Sequence, residues 1–192
     1  EETGVRLPLV TGGYKAMRRF LLDELDRSLD ESTADLVIIC GRTGTGKTKA
    51  ISELKQWSVD LEGLAHHRGS SFGRGPEDYQ PRQIDFENSI SLAFLKTLDQ
   101  HNKTSTQQGK PRVFVEDESR RIGGLSLPHV LGNRMKASDG IVIVEESMES
   151  RLDLLVDDYC IDLRQRFVAL LGDEMGRKAH SDHLLDALYR IR

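Results

Sequence analysis

The chain has 192 residues, enough for one well-buried α/β domain and too few for two large ones. Its 38% hydrophobic and 30% charged residues are those of an ordinary globular protein, and no apolar run reaches the length of a membrane span. A net charge of -4, from 27 basic against 31 acidic residues, excludes a protein that coats nucleic acid non-specifically, though not a local basic patch.

The first residues, Glu-Glu-Thr-Gly, supply neither the basic nor the apolar region of a secretory signal. They also lack an initiator Met, so the chain reads as a piece of a longer protein, with residues 1–11 as a lead-in and residues 12–192 as one domain. Apolar residues at Tyr14, Met17, Leu21, Leu25 and Leu29 then recur at helical spacing over residues 12–29. Lys15, Arg18 and Arg19 lie near the start of that helix, where Arg18 and Arg19 fit a solvated face. Leu36-Val37-Ile38-Ile39-Cys40 is a β-branched run and reads as a central strand. A helix over residues 47–57 should bury Ala50, Ile51, Leu54 and Trp57, and residues 59–62 read as a second short strand. Residues 63–81 hold Gly, Ser, Pro and charge with little periodicity, which predicts a long loop of the kind that carries function.

Phe86, Ile90, Phe94 and Leu98 mark another amphipathic helix, followed by a polar, loop-like stretch over residues 101–110. Val113-Phe114-Val115-Glu116 reads as a third strand and residues 141–144 as a fourth. Helices are predicted over residues 148–159 and 163–175, with a last one beginning at Ser181, a residue suited to an N-cap. Strands alternating with helices predict a P-loop NTPase-like α/β fold, a parallel sheet with helices on both faces. Two cysteines, Cys40 and Cys160, are too few for a disulfide framework and lack partners at zinc-ligand spacing, which fits a reducing cytoplasm. Cys40, closing an apolar run, reads as a small buried hydrophobe.

Gly41-Arg42-Thr43-Gly44-Thr45-Gly46-Lys47-Thr48 matches G-x-x-x-x-G-K-[ST] in full, between a predicted strand and a predicted helix. Glycines let the backbone fold around an anion with successive N–H groups turned inward. Gly41, Thr43, Gly44, Thr45 and Gly46 would supply that cradle. Lys47 would reach the outer phosphates and Thr48 a magnesium ion. Such an ion also needs a carboxylate at a neighbouring strand end, and Glu116-Asp117-Glu118 offers three. Adjacent strand residues face opposite ways, so Glu116 and Asp117 cannot both face the loop; Asp117 is the first choice and Glu116 the second.

Glu62, His66, His67, Arg68 and Phe72 follow the second strand, where open α/β sheets bind ligands. The basic side chains suit phosphate and Phe72 suits stacking or an apolar slot. Arg120 and Arg121, leaving the third strand, fit either of two roles: neutralising a leaving diphosphate or RNA backbone, or pairing with Glu116 to Glu118. Arg134 and Lys136 add positive charge before the fourth strand.

These stretches together resemble the tRNA 2-selenouridine synthases. The matching segments are Gly12-Gly13-Tyr14-Lys15-Ala16-Met17-Arg18, the loop 41–48, residues 60–73, Gln80-Pro81 with Phe86-Glu87-Asn88, residues 115–123, and Arg134-Met135. The resemblance implies an N-terminal rhodanese domain joined to a P-loop domain and acting on the wobble 2-thiouridine of tRNA. It implies alkylation of the sulfur by geranyl diphosphate, followed by replacement of the S-geranyl group with selenium from selenophosphate. The catalytic cysteine of that family lies in the rhodanese half, which neither Cys40 nor Cys160 matches. On this reading the catalytic set is Lys47, Asp117, Arg120 and Arg121. Lys15, Arg18, Glu62, His66, His67, Arg68 and Phe72 would meet RNA or substrate. Two other readings stand beside it: an ATP- or GTP-dependent small-molecule kinase or NTPase, and a non-catalytic tRNA-binding module.

Overall fold

The computed structural model describes residues 9–190 apart from 69, 71, 73, 77, 78 and 105–108. Most of the predicted lead-in, part of the 63–81 loop and part of the 101–110 stretch therefore lie outside the described residues. The chain opens with α1 (Gly13–Ser28), β1 (Asp35–Cys40), α2 (Lys47–Glu53) and β2 (Ser58–Val59). It continues through α3 (Leu61–Leu64), α4 (Gln83–Thr104), β3 (Arg112–Glu116), β4 (Arg121–Ile122) and β5 (Leu125–Ser126). Then come α5 (His129–Lys136), β6 (Gly140–Ile143) and α6 (Met148–Leu155). A π-helical segment (Val156–Asp162), α7 (Leu163–Leu171) and α8 (Asp173–Arg190) complete it.

β2, β3, β1 and β6 form one sheet in that order, and every pairing is parallel. β1 lies in the interior, so its residues are buried in unbroken succession from Leu36 to Ile39 rather than at alternate positions. Leu36 and Ile38 enter the main core with Leu25 of α1, Phe86, Ile90 and Phe94 of α4, and Val113 and Val115 of β3. The expected parallel sheet flanked by helices is thus present. β4 and β5 make a separate antiparallel hairpin across Gly123 and Gly124, and α7 packs along α8.

Several boundaries depart from the sequence reading for local reasons. α2 stops at Glu53 with Leu54 as its C-cap, and of the four residues expected inside only Ile51 is fully buried; Trp57 is exposed. The second strand ends at Val59, because the Asp60 carboxylate accepts the Gly63 N–H at 2.7 Å and caps α3. α4 runs on to Thr104, into a stretch expected to be loop. Ser181 lies inside α8, whose start at Asp173 follows a left-handed Gly172 (φ 82°). Cys40 is half-buried rather than fully buried, and Cys160 is exposed. No helix among the described residues is long and apolar enough to cross a membrane.

Candidate functional site

At the carboxyl ends of β1 and β3 lies a cleft of about 1060 Å³. Its sheet side is the glycine loop that joins β1 to α2. Gly44 and Gly46 both take positive φ (80° and 84°), which turns the backbone where a side chain would be strained. A Cβ on Gly44 would also stand 2.9 Å from the Arg151 carbonyl, so the loop tip presses directly on α6. The Thr45 hydroxyl donates to the Arg42 carbonyl at 2.8 Å, and the Lys47 ammonium donates to the Gly41 carbonyl at 2.7 Å. Lys47 is folded back over its own loop, with its charge held where an anion in the cradle would meet it. Thr43, Gly44, Thr45, Gly46, Lys47 and Thr48 all line the cleft; Gly41 lies behind them.

The second wall begins where β3 ends. Asp117 and Glu118 line the cleft, whereas Glu116 points into the protein and is 1% exposed. The alternation argued from the sequence separates Glu116 from Asp117 in this way. One Glu116 oxygen accepts the Glu62 N–H at 3.4 Å and the other has no hydrogen-bond partner. Burial, reinforced by the carboxylates of Glu62 and Asp60, pushes the Glu116 carboxyl up to about 8. Burial and a hydrogen bond with Glu62 raise Glu118 to about 8 as well. Asp117 is the exposed carboxyl group at the end of β3.

The remaining expected residues divide between the cleft and other sites. Glu62, His67, Arg68 and Arg121 line the cleft, whereas Arg120 borders a smaller adjoining hollow with Met135 and Lys136. Neither arginine forms an ion pair with Glu116 to Glu118 among the described residues. His66 is held outside by a left-handed φ of 49° and by its Nδ1 contact with the Tyr79 carbonyl at 3.2 Å. Arg18 is no solvated residue: it bonds Asn88 at 2.9 Å and pairs with Glu87, tying α1 to α4 away from the cleft lining, while Lys15 is exposed. Arg134 is buried, pairing with Asp139 and donating to the Leu29 and Ala34 carbonyls at 3.1 and 3.2 Å. Its charge is spent on packing α5 against the turn between α1 and β1.

A third wall was not foreseen. Leu154, Leu155, Asp158, Tyr159 and Arg190 enter the cleft from α6, the π-helical segment and α8. Such a segment shifts the register of the side chains that follow, and π-turns recur at functional sites. Here it turns Asp158 and Tyr159 toward the loop after α3. The Tyr159 hydroxyl meets the Ser70 hydroxyl at 2.7 Å, and its ring lies 5.4 Å from that of Phe72. Arg68 pairs with Asp158 at 3.2 Å and Asp162 at 3.5 Å. The substrate-side loop is therefore fastened to the helical wall. Arg74, from the same loop, adds another cation to the lining. No periodicity marks Tyr159 or Arg190 as site residues, since their place depends on how distant helices pack.

A family model described as the tRNA 2-selenouridine synthase AAA domain matches residues 34–192. A tRNA 2-selenouridine synthase of Alcanivorax borkumensis is 45% identical over 192 residues, covering 100% of this chain and 49% of that protein. Relatives of the same name from Marinobacter nauticus and Cupriavidus pinatubonensis are 44% and 43% identical, with 48% and 49% of their lengths covered. The chain spans about half the length of the curated relatives it matches. It belongs to the tRNA 2-selenouridine synthase family, within that family's AAA domain.

Proposed function

We propose that this cleft binds geranyl diphosphate and presents it to the wobble 2-thiouridine of a tRNA, as part of a cytoplasmic 2-selenouridine synthase. The observation that carries the reading is the glycine loop with Lys47 folded over it, facing an apolar wall of Leu154, Leu155 and the Tyr159 ring. A cradle of inward amides and a cation suits a diphosphate, and the apolar wall suits a hydrocarbon tail.

In this reading the thiocarbonyl sulfur attacks the first carbon of the geranyl group. The carbon–oxygen bond breaks, its electron pair leaves with the diphosphate, and the uracil ring gives up its N3 proton. Lys47 and Arg121, which line the cleft, and the loop amides would offset the charge that develops on the leaving group, which is electrostatic stabilisation of the transition state. Arg120, in the adjoining hollow, would meet RNA backbone. The oxygen donors of Thr48 and Asp117 are those a hard divalent cation takes, and they would hold magnesium together with the phosphates. Magnesium would neutralise part of the diphosphate charge. Exchange of the S-geranyl group for selenium from selenophosphate would follow, with a rhodanese domain as the companion half.

The test is transfer itself. The full-length protein, incubated with geranyl diphosphate and a thiolated tRNA, should yield S-geranyl-2-thiouridine on nucleoside mass spectrometry. ATP hydrolysis without tRNA, and no geranylated nucleoside, would replace this reading with the kinase or NTPase one.

A further inference from the structure

β6 is composed as an interior strand yet stands at an edge of the sheet. It pairs in parallel with β1, through Val37 with Gly140, Ile38 with Ile141, Ile39 with Val142 and Cys40 with Ile143. Its other side meets no strand among the described residues. Side chains alternate across a sheet, so Ile141 and Ile143 lie on one face and Val142 on the other. All three are open to solvent, at 64%, 66% and 46% exposure. Apolar residues on both faces are the pattern of a parallel strand covered on either side. Edge strands are normally blunted by Lys, Pro, inward charge or a bulge, and Gly-Ile-Val-Ile carries none of these.

The backbone is equally unsatisfied. The Ile39 carbonyl of β1 faces β3, so the Ile38 and Cys40 carbonyls face β6, where Cys40 accepts the Val144 N–H. Alternation back along the strand then directs the Ile141 and Ile143 amides away from β1. One edge thus offers a row of hydrogen-bonding groups flanked by two bare apolar faces.

We infer that a further β-strand pairs with this edge, and that it comes from the part of the family's longer chain that these 192 residues do not include. Such a part is large: this chain covers 49% and 48% of the relatives from Alcanivorax and Marinobacter. A strand arriving with its connecting helix fills the edge and covers the exposed faces at once, and parallel pairing requires such a crossover. A second copy of this chain fits less well. Two β6 edges paired about a two-fold axis would satisfy the backbone, but neither copy would bring a helix over Ile141, Val142 or Ile143. The added strand would also brace the glycine loop from behind. Val144, next after β6, donates its N–H to the Cys40 carbonyl at 2.8 Å. Its own carbonyl would stand 2.8 Å from a Cβ on Gly41.

Amide-resolved hydrogen exchange on the unmodified full-length protein tests the pairing. The Ile141 amide should exchange within about tenfold of the Val142 amide, which faces β1 inside the sheet; exchange more than about 100-fold faster would overturn the inference. The origin of the strand is tested by placing a benzoylphenylalanine photo-crosslinker at Ile143 in the full-length protein, as a mixture of isotopically heavy and light copies. The expected product is a cross-link within one chain to a residue outside these 192. A cross-link joining heavy and light copies, or protection with no such product, would overturn the assignment of its source.

Discussion

On the sheet side of the cleft, six successive residues of the glycine loop, 43–48, line the wall. Their shape follows from two left-handed glycines and two short hydrogen bonds, all within residues 41–47. On the helical side, Leu155, Asp158, Tyr159 and Arg190 come from three helical segments, and Asp158 and Tyr159 depend on Arg68, Ser70 and Phe72, some 90 residues earlier. The first wall is local geometry with one charged tip; the second is a junction held by exposed ion pairs, one hydroxyl pair and a ring contact. A ligand's charged end should therefore depend steeply on single residues, whereas its apolar end should depend on several weak contacts together.

The largest expected effect is on the sheet side. Lys47→Ala should weaken geranyl diphosphate binding by about 100-fold, the scale of losing a charge-assisted contact to a diphosphate. Circular dichroism should be unchanged, because the Lys47 ammonium bonds a carbonyl of its own loop rather than a core element. Equal affinity in a folded variant would remove the loop from the site. Gly44→Ala comes next, at roughly 2 kcal/mol of stability in denaturant unfolding, since it adds strain at φ 80° and a clash with the Arg151 carbonyl. A neutral result would mean that the loop and α6 are not pressed together.

Glu116 gives a pH-dependent prediction at the boundary between the walls. Its carboxyl is raised from 4.5 to about 8, so between those values the folded state holds a proton that the unfolded state has lost. Its stabilising share is complete below the lower value and disappears as pH rises through the upper one. Glu116→Gln keeps the neutral shape without titrating, so its stability curve should be flatter between roughly pH 4.5 and 8. It should exceed the parent by about 1–2 kcal/mol at the alkaline end. Parallel curves for the two proteins would show that Glu116 is already ionised.

The helical side should yield smaller steps. Tyr159→Phe removes the hydroxyl that meets Ser70, and should cost about 1 kcal/mol while leaving the ring against Phe72. Arg68→Ala breaks two partly exposed ion pairs and should cost less than about 1 kcal/mol. Its clearer mark would be on RNA: binding of a thiolated anticodon stem-loop should lose part of its salt dependence. An unchanged salt slope in filter binding would place the RNA elsewhere.

The same contrast explains what could be read from the sequence. The glycine loop was legible because its spacing, its strand and its helix are all adjacent in the chain. Leu36 to Cys40 was legible as a buried parallel strand because both of its faces are apolar. Asp117 was separable from Glu116 by alternation alone. The π-helical segment was not legible, since Val156 to Asp162 carries no periodicity that distinguishes it from an α-helix. Arg134 looked like surface charge because its partners, Leu29, Ala34 and Asp139, meet it only after α5 packs. β2 was drawn too long because Asp60 was counted as strand rather than as a helix cap. Asp173 starts α8 because Gly172 breaks the chain there, a signal that was present but weaker than the serine eight positions later.

The most direct test of the central claim is a calorimetric titration of the full-length protein with geranyl diphosphate and, separately, with ATP, each with magnesium. Tighter binding of geranyl diphosphate, lost in Lys47→Ala, is the predicted result. Preferential binding of ATP, with geranyl diphosphate failing to compete, would contradict it.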